Sequence, residues 1–259
     1  MNRIDKLFAD RPERLLSIYF CAGAPRPDGT AEVIRTLARE GVDMIEIGIP
    51  FSDPMADGPV IQDAATQALR GGMTLEKLFR QLEGIRADVD IPLILMGYLN
   101  PVFRFGFERF CRRCVEVGVD GMIIPDLPFK DYMESYKAVA ERYGLRFVML
   151  ITPETSEERI RLIDENTSGF IYMVSSAATT GAQQDFDARK QAYFKKIADM
   201  HLRIPRMVGF GISNKQTFEA ACSHASGGII GSRFVTLLNE SGGDAGAAIR
   251  QLKADIGLG

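Results

Sequence analysis

The chain has only two histidines, His201 and His224, and neither stands in a serine or cysteine nucleophile pattern. Triad chemistry is therefore not expected. Both read as surface or capping residues near helix ends. Cysteine is also scarce. Of Cys21, Cys111, Cys114 and Cys222, only Cys111 and Cys114 form a CxxC. That pair falls in a helical pattern, FERFCRRCVEVG, without a second cysteine pair or a nearby histidine to complete a zinc site. Structural thiols in a reducing, cytoplasmic compartment are expected, in preference to a redox or metal role.

No sign of charge dominates. Lys and Arg number 31 against 34 Asp and Glu, a formal net charge of −3, so no nucleic-acid-binding face is expected. No apolar run approaches the ~18 residues of a membrane helix. The N-terminal stretch MNRIDKLFADRPERLL carries charges throughout, unlike a signal peptide.

What the chain does contain is a repeating alternation. Short apolar runs stand at Leu16–Ala22, Met44–Gly48, Leu93–Gly97, Gly121–Ile124, Phe147–Ile151, Phe170–Val174, Met207–Phe210 and Gly228–Ile230. Helical spacing follows at Ala31–Glu40, Ile61–Leu69 with Leu75–Ala87, Phe107–Val117, Tyr132–Arg142, Glu157–Glu165, Gln191–Met200, Lys215–His224 and Ala245–Lys253. Nearly all-apolar strands are those covered on both faces. Eight such units without a Gly/Ser-rich linker predict one α/β domain over residues 1–259. The expected architecture is a (β/α)8 TIM barrel with a short N-terminal helix and extra helices after strands 2 and 8. A doubly wound open sheet is the alternative. No lysine falls in a predicted strand, which argues against Schiff-base chemistry.

The segment MIEIGIPFSDPMADGPVIQ, residues 44–62, concentrates the chemistry. Strand alternation puts Met44, Glu46 and Gly48 on one face and Ile45, Ile47 and Ile49 on the other. The aliphatic face would meet the helices, leaving Glu46 in the barrel interior. A carboxylate there should have a raised pKa through desolvation, suited to giving and taking protons. The alternative is a structural ion pair across the barrel. Asp53 and Asp57 follow on the loop leaving the strand's C-terminal end, where barrel enzymes keep their active sites. Each alone is also a common turn residue. With Glu46 they could shuttle protons, hold a substrate N–H or bind Mg²⁺.

Two glycine-rich turns come late: Gly209-Phe210-Gly211-Ile212-Ser213 after the seventh strand, and Gly227 to Ser232 around the eighth. Backbone N–H groups at such turns bind phosphate, and barrels often place phosphate there. Tight strand-end turns are the plainer reading. The irregular stretch SSAATTGAQQDFDAR, residues 175–189, has the composition of a lid or of a surface loop. Together these features suggest carboxylate acid–base work on a phosphorylated small molecule, without a cofactor.

The stretch IEIGIPFSDPMADGPVIQ, with MGYLNP (Met96–Pro101), GVDGMIIPDLP (Gly118–Pro128), GFGIS (Gly209–Ser213) and the GS turn at Gly231–Ser232, resembles the tryptophan synthase α-subunit family over essentially the full chain. The resemblance implies retro-aldol cleavage of indole-3-glycerol phosphate to indole and glyceraldehyde 3-phosphate, with no cofactor and no metal. It implies Glu46 as general acid/base and Asp57 as the group that holds the indole N–H. Tyr19, Ile61, Met96 and Ile123 would form the apolar slot, and Tyr172 would line the site near Glu46. Phosphate would meet the N–H groups of Gly181, Gly211 and Ser232 beside Phe210 and Gly231, and Thr180 would help close the second loop over Asp57. The implied partner is a pyridoxal-phosphate-dependent β subunit in an α2β2 assembly, receiving indole through a tunnel.

The chain departs from the family pattern in three places. Ala24 stands where an acid usually precedes the proline, Ala178 and Thr179 replace a Gly-Val pair, and Arg233 replaces a small residue. Arg233 could add charge near phosphate or point outward. The altered loop leaves two other functions in view: a mainly regulatory subunit that activates its β partner, and a stand-alone lyase that releases indole.

Overall fold

The computed structural model describes residues 1–175 and 188–258. Eight strands form a closed barrel: β1 (Leu15–Cys21), β2 (Met44–Gly48), β3 (Leu93–Met96), β4 (Gly121–Ile123), β5 (Arg146–Ile151), β6 (Ile171–Val174), β7 (Arg206–Gly209) and β8 (Gly227–Ile230). Each strand pairs in parallel with the next, and β8 returns to β1. The open-sheet alternative is thereby excluded.

Alternation along these strands sorts the apolar residues into two cores. Met44, Ile94, Ile123, Val148, Met207 and Ile229 fill the barrel interior. Ile45, Ile47, Leu93 and Leu95 instead face the surrounding helices. Register pairs Tyr19 with Glu46 and Glu46 with Ile94, so Glu46 belongs to the interior row.

The N-terminal mouth of the barrel is plugged by the helix Arg3–Asp10. Ile4 is fully buried in the interior core, with Leu7 and Phe8 packed against it. The Phe8 ring lies 5.8 Å from that of Phe170. Gly121 makes room for this plug, since a Cβ there would sit 2.9 Å from Ile4 Cδ1. Asn2 caps the helix by accepting from the Ile4 N–H, and its amide donates to the Asp120 carbonyl at 2.8 Å. Asp5 accepts two bonds from the Arg146 guanidinium, at 2.9 Å from Nε and 2.5 Å from Nη2.

Two helical stretches differ from the sequence reading. Residues Leu99–Phe105 form a helix that the sequence reading did not assign. Pro101 falls in its first turn, where the missing N–H breaks no intrahelical bond. The segment read as one helix over Tyr132–Arg142 is split into Phe129–Asp131, a wider five-residue turn Tyr132–Tyr136, and Lys137–Arg142. The extra helices expected after β2 and β8 are present, at Pro59–Arg70 with Leu75–Leu82 and at Ser232–Glu240 with Ala245–Ile256.

Candidate active site at the C-terminal mouth of the barrel

Glu46 is fully buried. Its Oε1 accepts from the Ser17 hydroxyl at 3.1 Å, and its Oε2 has no hydrogen-bond partner. Ser17 lies on β1 and is itself fully buried. Burial pushes the Glu46 carboxyl up to about 8, and the single bond from Ser17 offsets only part of that. Among the described residues the structural ion pair considered from the sequence is not formed and one carboxyl oxygen has no partner; a carboxyl raised to about 8 is mostly protonated at pH 7.

Asp57 stands at the edge of the mouth on the loop after β2. Its Oδ2 accepts from the Tyr98 hydroxyl at 3.0 Å. The same phenol oxygen accepts from the Ala56 N–H, also at 3.0 Å. Burial raises the Asp57 pKa, while the bond from Tyr98 favours the ionised form. Asp53 is exposed, and its Oδ2 accepts from the neighbouring Ser52 hydroxyl. Of the two loop acids, only Asp57 reaches the cavity.

That cavity is lined by Tyr19, Asp57, Ile61, Met96, Tyr172, Phe210, Gly211, Gly231 and Ser232, all singled out from the sequence. Ile212 and Ile229 complete it, together with Arg233. A second space shares Tyr19, Asp57, Met96 and Phe210 and extends toward Tyr98, Pro125 and Leu150. Asp57 therefore borders both. Ile123 and Glu46 are fully buried in the interior and line neither. Thr180 and Gly181 lie outside the described residues.

Two glycines make room for the tyrosines of the mouth. A Cβ on Gly48 would fall 2.2 Å from the Tyr19 hydroxyl oxygen, and one on Gly209 would fall 2.2 Å from that of Tyr172. Burial raises the pKa of both phenols well above the usual value, so both remain protonated donors. The charges of Glu46 and Asp57 raise Tyr172 further.

The turn after β7 is bent by two successive residues with positive φ, Phe210 at 66° and Gly211 at 79°. For a phenylalanine that backbone costs on the order of 1–3 kcal/mol. The Ser175 hydroxyl donates to the Phe210 carbonyl at 2.5 Å and helps hold it. The bend leaves the Phe210 ring 5.8 Å from Tyr172 at 66°.

The two helix starts nearby differ. The helix Lys215–Cys222 is closed by a capping box between Asn214 and Thr217. The helix Ser232–Glu240 begins at Gly231 with no side-chain cap among the described residues, a start of the kind that receives anions. Sequence reasoning missed Ser17 and Tyr98 as partners of the carboxylates. Tyr98 had a signal, since it closes β3 at the end of the barrel where chemistry is kept.

The remaining candidates are not at the mouth. His201 is exposed, and His224 packs 6.3 Å from the Phe194 ring. All four cysteines are free thiols. Among the described residues, no group of three or more His, Cys, Asp or Glu is placed to hold a metal.

A closed parallel barrel with a neutral buried acid beneath its C-terminal mouth, and an uncapped helix start on the rim, belongs to the class of barrel enzymes that move protons on anionic small molecules. Sequence comparison narrows the class. The profile of the family described as tryptophan synthase alpha chain matches residues 7–257, and the chain belongs to that family. It is similar to the tryptophan synthase alpha chain of Bacteroides fragilis, 70% identical over 258 residues and covering 100% of this chain and 98% of that one. Among solved structures it is similar to tryptophan synthase subunit alpha from Legionella pneumophila, with 33% identity, a TM-score of 0.87 and 99% of each chain covered. It is also similar to tryptophan synthase from M. tuberculosis in an aminoacrylate-bound form, with 27% identity, a TM-score of 0.85, and 100% and 99% covered.

Proposed function

We propose that the protein is a carbon–carbon lyase that cleaves indole-3-glycerol phosphate to indole and glyceraldehyde 3-phosphate, late in tryptophan biosynthesis. The observation that carries the mechanism is the Glu46 carboxyl, buried, half-bonded and raised to about 8.

Glu46 starts as the acid and protonates indole C3. Positive charge then develops at the indole N–H, where the Asp57 carboxylate stabilises it. The Glu46 carboxylate now takes the proton of the glycerol hydroxyl next to the ring. The C–C bond breaks, its electron pair returns to the ring, and indole and the aldehyde separate with Glu46 protonated again. The indole ring lies between Tyr19, Ile61 and Met96. The phosphate meets the N–H groups at Ser232 and the Gly211 turn, with Tyr172 between the two carboxylates. Thr180 and Gly181 belong to this site by family resemblance.

The partner is a pyridoxal-phosphate-dependent β subunit in an α2β2 assembly, which consumes the indole. The free thiols fit a reducing cytoplasm, and no described helix is long and apolar enough to cross a membrane. We read residues 1–259 as one domain.

The test is to incubate the purified chain with indole-3-glycerol phosphate, alone and with a tryptophan synthase β subunit, and to follow indole or tryptophan. Slow cleavage alone and a large increase with the partner is the expected result. No cleavage in either mixture overturns the substrate assignment.

A further inference from the structure

The cavity rim carries one cation, Arg233, the second residue of the helix whose uncapped start faces the proposed phosphate site. Its guanidinium is held from the far end of the chain. Nη2 and Nε donate to Asp255 Oδ2 at 2.6 and 3.1 Å. Asp255 lies in the last turn of the helix Ala245–Ile256, and its Oδ1 is occupied by the Gln251 amide at 2.8 Å. The two side chains are 32% and 21% exposed, so the pair is partly shielded from water without being sealed. Among the described residues Nη1 has no hydrogen-bond partner. The clamp therefore uses one edge of the guanidinium fork and leaves the other unspent.

We infer that Arg233 is a phosphate-affinity determinant of this active site, a positive charge on the rim that is also tied to the C-terminal helix through Asp255. The inference deepens the proposed function and rests on its placement of phosphate at the Gly231–Ser232 turn. In physical terms, a helix start alone offers N–H dipoles, fractions of a charge that act over one turn. A full charge on the next residue extends the attraction beyond the turn. It favours a phosphorylated ligand over its uncharged counterpart and adds nothing to the binding of indole.

The test uses the full chain and two ligands, inorganic phosphate and indole, with calorimetric titration and competition against turnover of indole-3-glycerol phosphate. Arg233→Ala is expected to weaken inorganic phosphate about fivefold, as for a partly exposed charge pair. KM should rise more than kcat falls, and indole affinity should not change. Asp255→Asn breaks the same ion pair but keeps the arginine and removes a negative charge, so its phosphate affinity should equal or exceed that of the parent.

Unchanged phosphate affinity in Arg233→Ala overturns the inference. So does an Asp255→Asn variant as weak as Arg233→Ala, because Arg233 would then act only by tying the two helices together. A parent chain that binds phosphate and responds as described, yet never cleaves indole-3-glycerol phosphate, refutes the reaction and leaves Arg233 assigned to anion binding.

Discussion

Tyr98, just past the neighbouring strand β3, holds Asp57: its hydroxyl donates to Asp57 Oδ2 while accepting from the Ala56 N–H, each at 3.0 Å. One phenol thus fixes both the carboxylate and the loop that carries it. Tyr98→Phe keeps the ring against Phe51 and removes both bonds. Hydrogen bonding to the ionised form favours it, so the Asp57 pKa should rise further without Tyr98. The acid limb of kcat/KM should move to higher pH, and kcat/KM near neutrality should fall about threefold to tenfold. A pH–rate profile checks both; an acid limb that stays in place would separate Tyr98 from Asp57 ionisation.

Glu46→Gln preserves shape and abolishes proton transfer. Turnover should fall on the order of 10²- to 10⁴-fold, read as indole release under single-turnover conditions. In the parent, the catalytically competent protonated Glu46 is lost as pH rises through about 8, so kcat/KM should decline above that pH.

The same group ties stability to pH. Burial holds the folded Glu46 carboxyl at about 8, against an ordinary value of 4.5. The folded chain therefore binds more protons than the unfolded chain between those values, and stability falls as pH rises across that window. Above about 8 the buried charge costs on the order of a few kcal/mol. Urea titrations at pH 5 and pH 9 should show a larger loss for the parent than for Glu46→Gln. Parallel losses would refute the assigned titration.

Gly209→Ala tests the space given to Tyr172. The new methyl would overlap the buried phenol. Overpacking of this kind costs about 1–3 kcal/mol. Thermal melting should show that loss together with a lower kcat/KM, since the displaced ring lines the cavity.

Ile4→Ala should separate the two ends of the barrel. Removing a fully buried plug residue costs about 2–5 kcal/mol. Because the plug is at the N-terminal mouth, kcat measured well below the melting temperature should stay within twofold of the parent.

The barrel was legible because each strand is a short apolar run and alternation alone put Glu46 inside. All eight strands fall within a residue or so of the expected ranges. The helix at Leu99–Phe105 was hidden by Pro101, which as a turn signal and as a first-turn helix residue looks alike in one sequence. Ser17 and Tyr98 were not legible as partners of the carboxylates. They meet Glu46 and Asp57 only through the pairing of neighbouring strands, 29 and 41 residues away. Arg233 was visible as an unusual charge, but its clamp comes from a helix 22 residues later whose docking no local pattern reveals.

The plug at the barrel floor also bears on how the chain is made. Residues 2 to 8 leave the ribosome well before their partners Asp120, Arg146 and Phe170. The first helix must wait, with its apolar face uncovered, until about two thirds of the barrel has been synthesised. Contacts so distant in sequence are slow to form, so this helix is among the last elements to reach its place. During that delay Ile4, Leu7 and Phe8 are open to chaperones, and a nascent chain stalled before β6 would present them as a binding epitope.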